Sequence, residues 1–176
     1  MNSRFFHCLP LLGALLLVAT VGAQRKAPDL PPEAKARLDH HVGEWDIRTE
    51  YLDRNGKATR TSTGSDSAKY IIDGRVVELT TTSASGVSKA WMFYNVAEQK
   101  FYLTAVDARG DHWTMTGGLD EYVITSTPKP RPRGGTMIIR FTHSNIEENS
   151  FEALMESSID GGQSWWQRYR QYATRR

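Results

Sequence analysis

After residue 43 the chain consists of short runs rich in β-branched and aromatic residues, with turn-forming residues between them. Links such as Asn55-Gly56 and Asp73-Gly74 supply the positive φ angles that tight hairpins require. Consecutive strands joined by such short links predict an antiparallel, up-and-down sheet. Ten runs fit this pattern: Glu44–Leu52, Ala58–Ile71, Arg75–Ala84, Ser88–Tyr94, Lys100–Val106, Asp111–Gly117, Glu121–Thr127, Thr136–His143, Ser150–Ser158 and Ser164–Ala173.

A sheet of this many strands seldom stays open, because both of its edges would remain unpaired. Closure into a barrel removes the edges, and a barrel of this strand number is wide enough to hold a ligand. One segment, Glu33–His41, carries good helix formers in succession, and Gly43 follows it as a stop signal. The predicted fold is therefore all-β: an up-and-down antiparallel barrel of about ten strands with a short N-terminal helix.

Alternation within the runs predicts which side chains face inward. Trp45, Ile47 and Tyr51 share one side of the first run, opposite a charged set. The same spacing places Trp91 with Phe93, Trp113 with Met115, and Phe141 with His143 on one side of their strands. Lys100–Val106 is apolar on both sides, so its orientation stays open.

The N-terminus has the three parts of a cleavable signal peptide. Arg4 precedes an apolar segment, and Val21-Gly22-Ala23 places small residues where signal peptidase cuts. The apolar segment is shorter than the roughly 20 residues of a spanning helix. We therefore expect a signal peptide at 1–23, a proline-containing linker at 24–32, and one barrel domain at 33–176 that is exported, either periplasmic or secreted, and free of the membrane after cleavage.

The expected mature chain lacks cysteine, since Cys8 is the only one, so an ordinary core must hold the domain together without a disulfide. Removing Arg4 from the 22 Lys and Arg leaves 21 against 20 Asp and Glu, a net charge of +1. A net charge this small creates no positive electrostatic potential that would attract nucleic acid, and we expect no nucleic-acid partner. The oligomeric state cannot be read from these features.

The order of several motifs resembles a bacterial secreted lipocalin-like (calycin-like) family known only as a domain of unknown function. Those motifs are Leu38-x-x-x-x-Gly43-x-Trp45, Ile72-Asp73-Gly74-Arg75, Phe93-Tyr94-Asn95 with Lys100-Phe101-Tyr102, Gly117-Gly118, and Ser158-x-Asp160-Gly161-Gly162-x-Ser164-Trp165. The resemblance implies a calycin-like barrel and small-molecule binding, and it brings no established catalytic residues. It also implies that Trp45 packs at the closed end beneath a basic side chain, for which Arg168, Arg170 and Arg175 are the candidates.

The last of these motifs also fits the Asp-box turn, Ser-x-Asp-x-Gly-x-Ser-Trp. This motif forms a hairpin in which Asp160 accepts hydrogen bonds from turn amides and Trp165 packs beneath the turn. The motif occurs once, whereas propeller folds repeat it in each blade. We therefore interpret it as a stabilised hairpin before the last strand.

The leading functional hypothesis is an exported binding protein with a small apolar or amphipathic molecule in the barrel interior. An aromatic inner face with a few polar groups is typical of such pockets. The candidate ligand-binding residues are Trp91, Phe93, Trp113, Met115, Phe141, His143 and Arg140.

Two other hypotheses stay open. One is a barrel enzyme with acid–base or isomerase-type chemistry, using His143, His112 or a buried glutamate (Glu78 or Glu152) as the base. The other is partner binding by the outer face of the sheet. The sequence contains no nucleophile elbow, phosphate loop or paired metal-ligand motif, so we expect no metal, no cofactor and no assignable catalytic residue. The resemblance leaves haem ligation by an inward His143 as an alternative.

Overall fold

The computed structural model describes residues 27–72 and 74–176. Within them, one helix precedes eleven strands. The helix is α1 (Pro32–His41). The strands are β1 (Gly43–Leu52), β2 (Ala58–Ile72), β3 (Val76–Ser83), β4 (Gly86–Asn95), β5 (Lys100–Asp107), β6 (His112–Gly117), β7 (Val123–Ser126), β8 (Lys129–Pro130), β9 (Thr136–Glu147), β10 (Ser150–Ser158) and β11 (Trp166–Arg175). The segment predicted as a signal peptide lies outside the described residues.

Ten of these strands form a closed antiparallel barrel. Each of β1 to β6 pairs with the next strand, β7 pairs with β9, and β9 pairs with β10, which pairs with β11. Closure is made by β1, which pairs with β2 on one side and with β11 on the other. β8 adds two residues beside β9. The predicted all-β barrel is confirmed.

The alternation predicted for the first strand is confirmed. Trp45, Ile47 and Thr49 are buried, whereas Asp46 and Arg48 are exposed. One face of β1 contacts the core and the other faces solvent, so the two-residue alternation places the apolar side chains inside and the charges outside.

Helix α1 plugs one end of the barrel. It begins at Pro32, one residue before the predicted start, because a proline in the first turn lacks only an N–H that would have no helical partner. Ala34 and Leu38 have no exposed surface and pack with Val77 and Phe101 from the barrel wall. No helix in the described part of the chain has the length and apolar character needed to cross a membrane.

The closed end is fixed by Trp45 and a basic side chain, as the resemblance implied. Arg175 is the one that lies over the indole, with its guanidinium carbon 4.2 Å from the ring centroid. Its Nη1 donates to the carbonyl of Val42 at 2.7 Å and its Nη2 to that of His40 at 3.0 Å. Gly43 has a φ of +132°, and a Cβ there would lie 2.4 Å from Arg175 Nη1. Glycine at 43 therefore gives Arg175 access to the helix end.

The hairpin before β11 has the predicted Asp-box geometry. Ser164 N donates to Asp160 Oδ1 at 3.0 Å, and Gly162 N donates to Ser158 Oγ at 2.8 Å. Hydrogen bonds from the hydroxyl and backbone N–H of Ser164, the hydroxyl being the largest contributor, and from the Ser158 hydroxyl hold the pKa of the Asp160 carboxyl well below its ordinary value. Trp165 donates its indole N–H to the carbonyl of Gly162 at 3.0 Å. The motif therefore stabilises the turn between β10 and β11.

Candidate functional site

An apolar cavity of about 320 Å³ lies inside the barrel, between the plugged end and the turn that joins β5 to β6. Its wall is built mainly by β5, β6, β7, β9 and β10, whose inward side chains alternate with outward ones. The lining residues are Ser88, Leu103, Ala105, Val106, Asp107, Asp111, Trp113, Met115, Ile124, Ile139, Phe141, His143, Met155 and Tyr169. The charged groups, Asp107 and Asp111, belong to the rim, where they pair with Arg109 and Lys129.

A second, polar cavity of about 200 Å³ adjoins the first. Its lining includes Thr49, Thr81 and Gln171, from β1, β3 and β11. Gln171 Nε2 donates to Thr49 Oγ1 at 3.4 Å. Ser88 and Tyr169 line both cavities, so the barrel interior has an apolar wall facing a hydroxyl-rich wall.

Four of the seven predicted ligand-binding residues line the apolar cavity. They are Trp113, Met115, Phe141 and His143. Met115 is 1% exposed and forms the floor with Ile124 and Ile139. The alternation within β6 and β9 placed these side chains correctly, because each strand has one predominantly apolar face. Their role in ligand binding stays a prediction.

Trp91 and Phe93 lie on the outer face, which corrects their predicted inward placement. In β4 the inward residue between them is Met92, which is 4% exposed and opposite Leu103 of the cavity wall. Phe93 stacks on Tyr102 outside the barrel, with ring centroids 5.3 Å apart. The strand is apolar on both faces, so alternation could not separate its faces.

Arg140 also lies outside the cavity. Its Nε donates to Glu156 at 2.6 Å, and its guanidinium lies 4.1 Å from the centroid of the Trp165 ring. The carboxylate and the indole stabilise this cation on the outer face. Arg140 therefore supports the last hairpin.

The other candidate bases lie outside as well, apart from His143. His112 is exposed, Glu78 pairs with Lys89 at 3.0 Å, and Glu152 accepts a hydrogen bond from Asn145. Within the described residues, no group of three or more His, Cys, Asp or Glu side chains could hold a metal ion.

Sequence reasoning missed Tyr169 and Asp66, which lie on the inner face. Tyr169 pairs with Met155, and burial raises the pKa of its hydroxyl well above the ordinary value. Asp66 lies opposite Thr81, and burial raises the pKa of its carboxyl, although a hydrogen bond from Thr81 opposes this. The alternation of Tyr169, Gln171 and Ala173 in the last run was the signal for Tyr169. Asp66 lies in a polar run that has no such signal.

Comparisons with solved structures place the fold among known barrels. Rv2717c from M. tuberculosis is similar with a TM-score of 0.56 and 12% identity, over 84% of this chain and 99% of that one. A protein of unknown function from the DUF3598 family, from Nostoc punctiforme, is similar with a TM-score of 0.52 and 12% identity. That similarity covers 85% of this chain, which spans about half (51%) of the Nostoc chain. Identities this low establish the fold alone.

A search of curated proteins gave no match. A family model described as "Protein of unknown function (DUF1579)" matches residues 30–176, which include α1 and every strand of the barrel. The chain belongs to the DUF1579 family.

Proposed function

We propose that this protein is an exported binding protein whose barrel interior takes up a small apolar or amphipathic molecule. One observation carries the proposal: an apolar cavity and a hydroxyl-lined cavity share Tyr169 and Ser88 inside one closed barrel. An amphipathic molecule would place its apolar part against Met115 and Phe141 and its polar part toward Thr49 and Gln171.

The size and chemistry of the interior support this proposal. Ligand pockets are commonly about 300–1,000 Å³, mostly apolar, with a few placed polar groups. The apolar cavity alone has about 320 Å³. Its polar neighbour supplies hydroxyl and amide groups that can fix the orientation of a ligand by hydrogen bonds.

Export and a calycin-like relationship are parts of the same proposal. Residues 1–23 have the pattern of a signal peptide, and residues 24–176 contain no cysteine. The closed up-and-down barrel with a plug helix and a Trp45–Arg175 pair supports the calycin-like relationship. A carrier or sensor of small molecules outside the cytoplasm fits both features.

Acid–base catalysis has less support. Of the bases named from the sequence, His143 borders the cavity. Burial and the nearby Arg37 lower the pKa of His143 to about 4. Such a group is a weak base at neutral pH. Binding therefore explains the interior better than catalysis.

The test uses a fluorescent fatty acid as the probe and two substitutions on β5. Ala105→Phe places a ring in the apolar cavity, because Ala105 lines it. Thr104→Phe adds the same ring to the outer face, where Thr104 lies opposite Trp91. We expect Ala105→Phe to weaken binding about 10-fold or more, since the added ring occupies the ligand's volume, and Thr104→Phe to bind as the parent does.

Native mass spectrometry of the parent, purified from its own source, complements the titration. A bound small molecule lost from Ala105→Phe and retained by Thr104→Phe supports the proposal. A parent protein that binds no fluorescent fatty acid and carries no small molecule contradicts it.

A further inference from the structure

Three histidines meet at the plugged end, in a cleft next to the cavity described above. His40 and His41 come from the last turn of α1, and His143 comes from β9. The ring centroids of His40 and His41 are 5.9 Å apart, and those of His41 and His143 are 5.6 Å apart. All three side chains line a cleft of about 220 Å³ between the helix, β9 and β10.

A fixed guanidinium lies in the wall of the same cleft. Arg37 is 7% exposed, and its Nη1 donates to the carbonyls of Gly118 and Glu121 at 3.3 and 2.8 Å. Phe101 supports it from one side, with the guanidinium carbon 4.4 Å from the ring centroid. The hydrogen bonds run to neutral carbonyls, so the positive charge of Arg37 is not neutralised by them.

Polar atoms of this cleft retain unused hydrogen-bonding capacity. Among the described residues, Arg37 Nε, His40 Nε2 and His143 Nδ1 are buried without a hydrogen-bond partner. Buried polar groups are normally paired, and an exception calls for a functional explanation. Three such atoms in the walls of one cleft indicate that the cleft accommodates a polar group.

The surrounding charges select the sign of that group. His41 is faced by Arg37, His40 and His143. His143 is faced by Arg37 and His40, and His40 by Arg175 from β11. The remaining titratable neighbours are Glu33, which is exposed in the first turn of α1, and Tyr122. Burial and these cations lower the pKa of all three histidines, which disfavours a further cation. An anion would offset both effects.

We propose that this cleft binds an oxyanion, a carboxylate, sulfate or phosphate group, through Arg37, His40, His41 and His143. His143 lines both the cleft and the apolar cavity. The oxyanion is therefore either a free ion or the head group of an amphipathic molecule whose apolar part lies in the cavity. The site does not depend on the proposed function, because a free ion needs the cleft alone.

The test is a sulfate titration at constant ionic strength, followed by NMR of the histidine side chains. Sulfate stays fully ionised near neutral pH, so any pH dependence belongs to the protein. We expect saturable shifts for His40, His41 and His143 and none for the exposed His112. Because binding is coupled to protonation of the imidazoles, affinity should rise about 10-fold between pH 7.5 and pH 5.5.

Two variants and one control complete the sulfate experiment. His143→Gln and His40→Gln each remove one imidazole, and His112→Gln removes a histidine on β6 outside the cleft. We expect the first two variants to bind sulfate about 10-fold more weakly than the parent, and the control to bind it with the parent's affinity. The circular dichroism spectra of all three should match that of the parent. If His143→Gln does not fold, His40→Gln, at the cleft edge, gives the answer. Absence of saturable shifts in the folded parent, or equal affinity in all three variants, overturns the proposal.

Octyl sulfate distinguishes the two sources of the oxyanion. Tighter binding than inorganic sulfate, reduced by both His143→Gln and Ala105→Phe, identifies a head group with its chain in the cavity. Equal affinity for the two compounds, unaffected by Ala105→Phe, identifies a free ion. Sulfate binding by a protein that rejects fatty acids supports the oxyanion site and contradicts only the proposed function.

Discussion

His143 stands between the two compartments of the barrel, since its side chain lines the apolar cavity and the histidine cleft. Its backbone N–H donates to the carbonyl of Tyr122 at 2.8 Å, which fixes β9 beside the loop before β7. Burial is the main cause that lowers its pKa to about 4 from an ordinary value of 6.5. One side chain thus separates an apolar volume from a positively charged one, and its protonation carries a cost in folding free energy.

That cost predicts a pH dependence of stability. Between pH 6.5 and pH 4 the unfolded state binds a proton that the folded state does not. The contribution of neutral His143 to the free energy of unfolding is therefore fully present above pH 6.5, and it is lost as the pH falls toward 4. When the pH of a chloride buffer is lowered from 6.5 to 4, the unfolding free energy of the parent should fall. We expect that of His143→Gln to fall by about 2 kcal/mol less, as measured by urea denaturation.

His112→Gln is the matched control for this measurement, because His112 is exposed on β6. The unfolding free energy of His112→Gln should match that of the parent at every pH. Titration of carboxylates below pH 5 affects all three proteins alike, so it cancels in the comparison. Parallel curves for His143→Gln and the parent would contradict the interpretation.

At the scale of elements, the junction between α1 and β1 depends on the last strand. Arg175 reaches from β11 to the carbonyls of His40 and Val42, which are at the end of the helix, while its guanidinium covers Trp45. A cation near a helix C-terminus is favoured by the helix dipole. The last strand is thereby joined at one side chain to α1 and β1, two elements at the other end of the domain's sequence.

Replacing Arg175 should loosen the plugged end. Arg175→Met keeps the aliphatic part and removes the cation–π contact, the two hydrogen bonds to the helix end and a longer one to the carbonyl of Glu148. We therefore expect a loss of about 2–3 kcal/mol of unfolding free energy. Arg168→Met on the same strand is the control, because Arg168 is exposed and should change stability by less than about 0.5 kcal/mol. Equal losses in the two variants, measured by urea denaturation, would contradict the role assigned to Arg175.

At the scale of the whole molecule, closure of the barrel depends on the C-terminal strand. β11 pairs with β10 from Ser150 to Ser157 and with β1 from Trp45 to Tyr51. Without it, both neighbours would present unpaired edges, and open edges are sites of aggregation.

We therefore expect a chain that ends at Trp165 to lose cooperative unfolding and to associate. A synthetic peptide spanning residues 164–176 should restore cooperative unfolding, because it supplies the strand that pairs with both edges. The measurements are thermal melting by circular dichroism and the sedimentation coefficient. A monomeric truncated chain with the parent's melting transition would show that β11 is dispensable for closure.

Alternation and turn residues in the sequence predicted the barrel, because a two-residue period and tight links are local properties of a strand. They also placed Trp113, Met115, Phe141 and His143, whose strands have a single predominantly apolar face. The same reasoning failed for Trp91 and Phe93, since Met92 and Tyr94 on the opposite face of β4 are also apolar or aromatic. Packing against Leu103 and Phe101 selected the inner face there.

The sequence by itself determined an antiparallel all-β domain with a short N-terminal helix, a cysteine-free core and an Asp-box turn, because each follows from local conformational preference or composition. The tertiary structure decided which arginine covers Trp45, that Arg140 pairs with Glu156 outside the barrel, and that His40, His41 and His143 share a cleft with Arg37. The hydrogen bond from Arg175 to the carbonyl of His40, made by the arginine that covers Trp45, joins residues 135 positions apart. Barrel closure alone brings such residues together, and no local pattern encodes their distance.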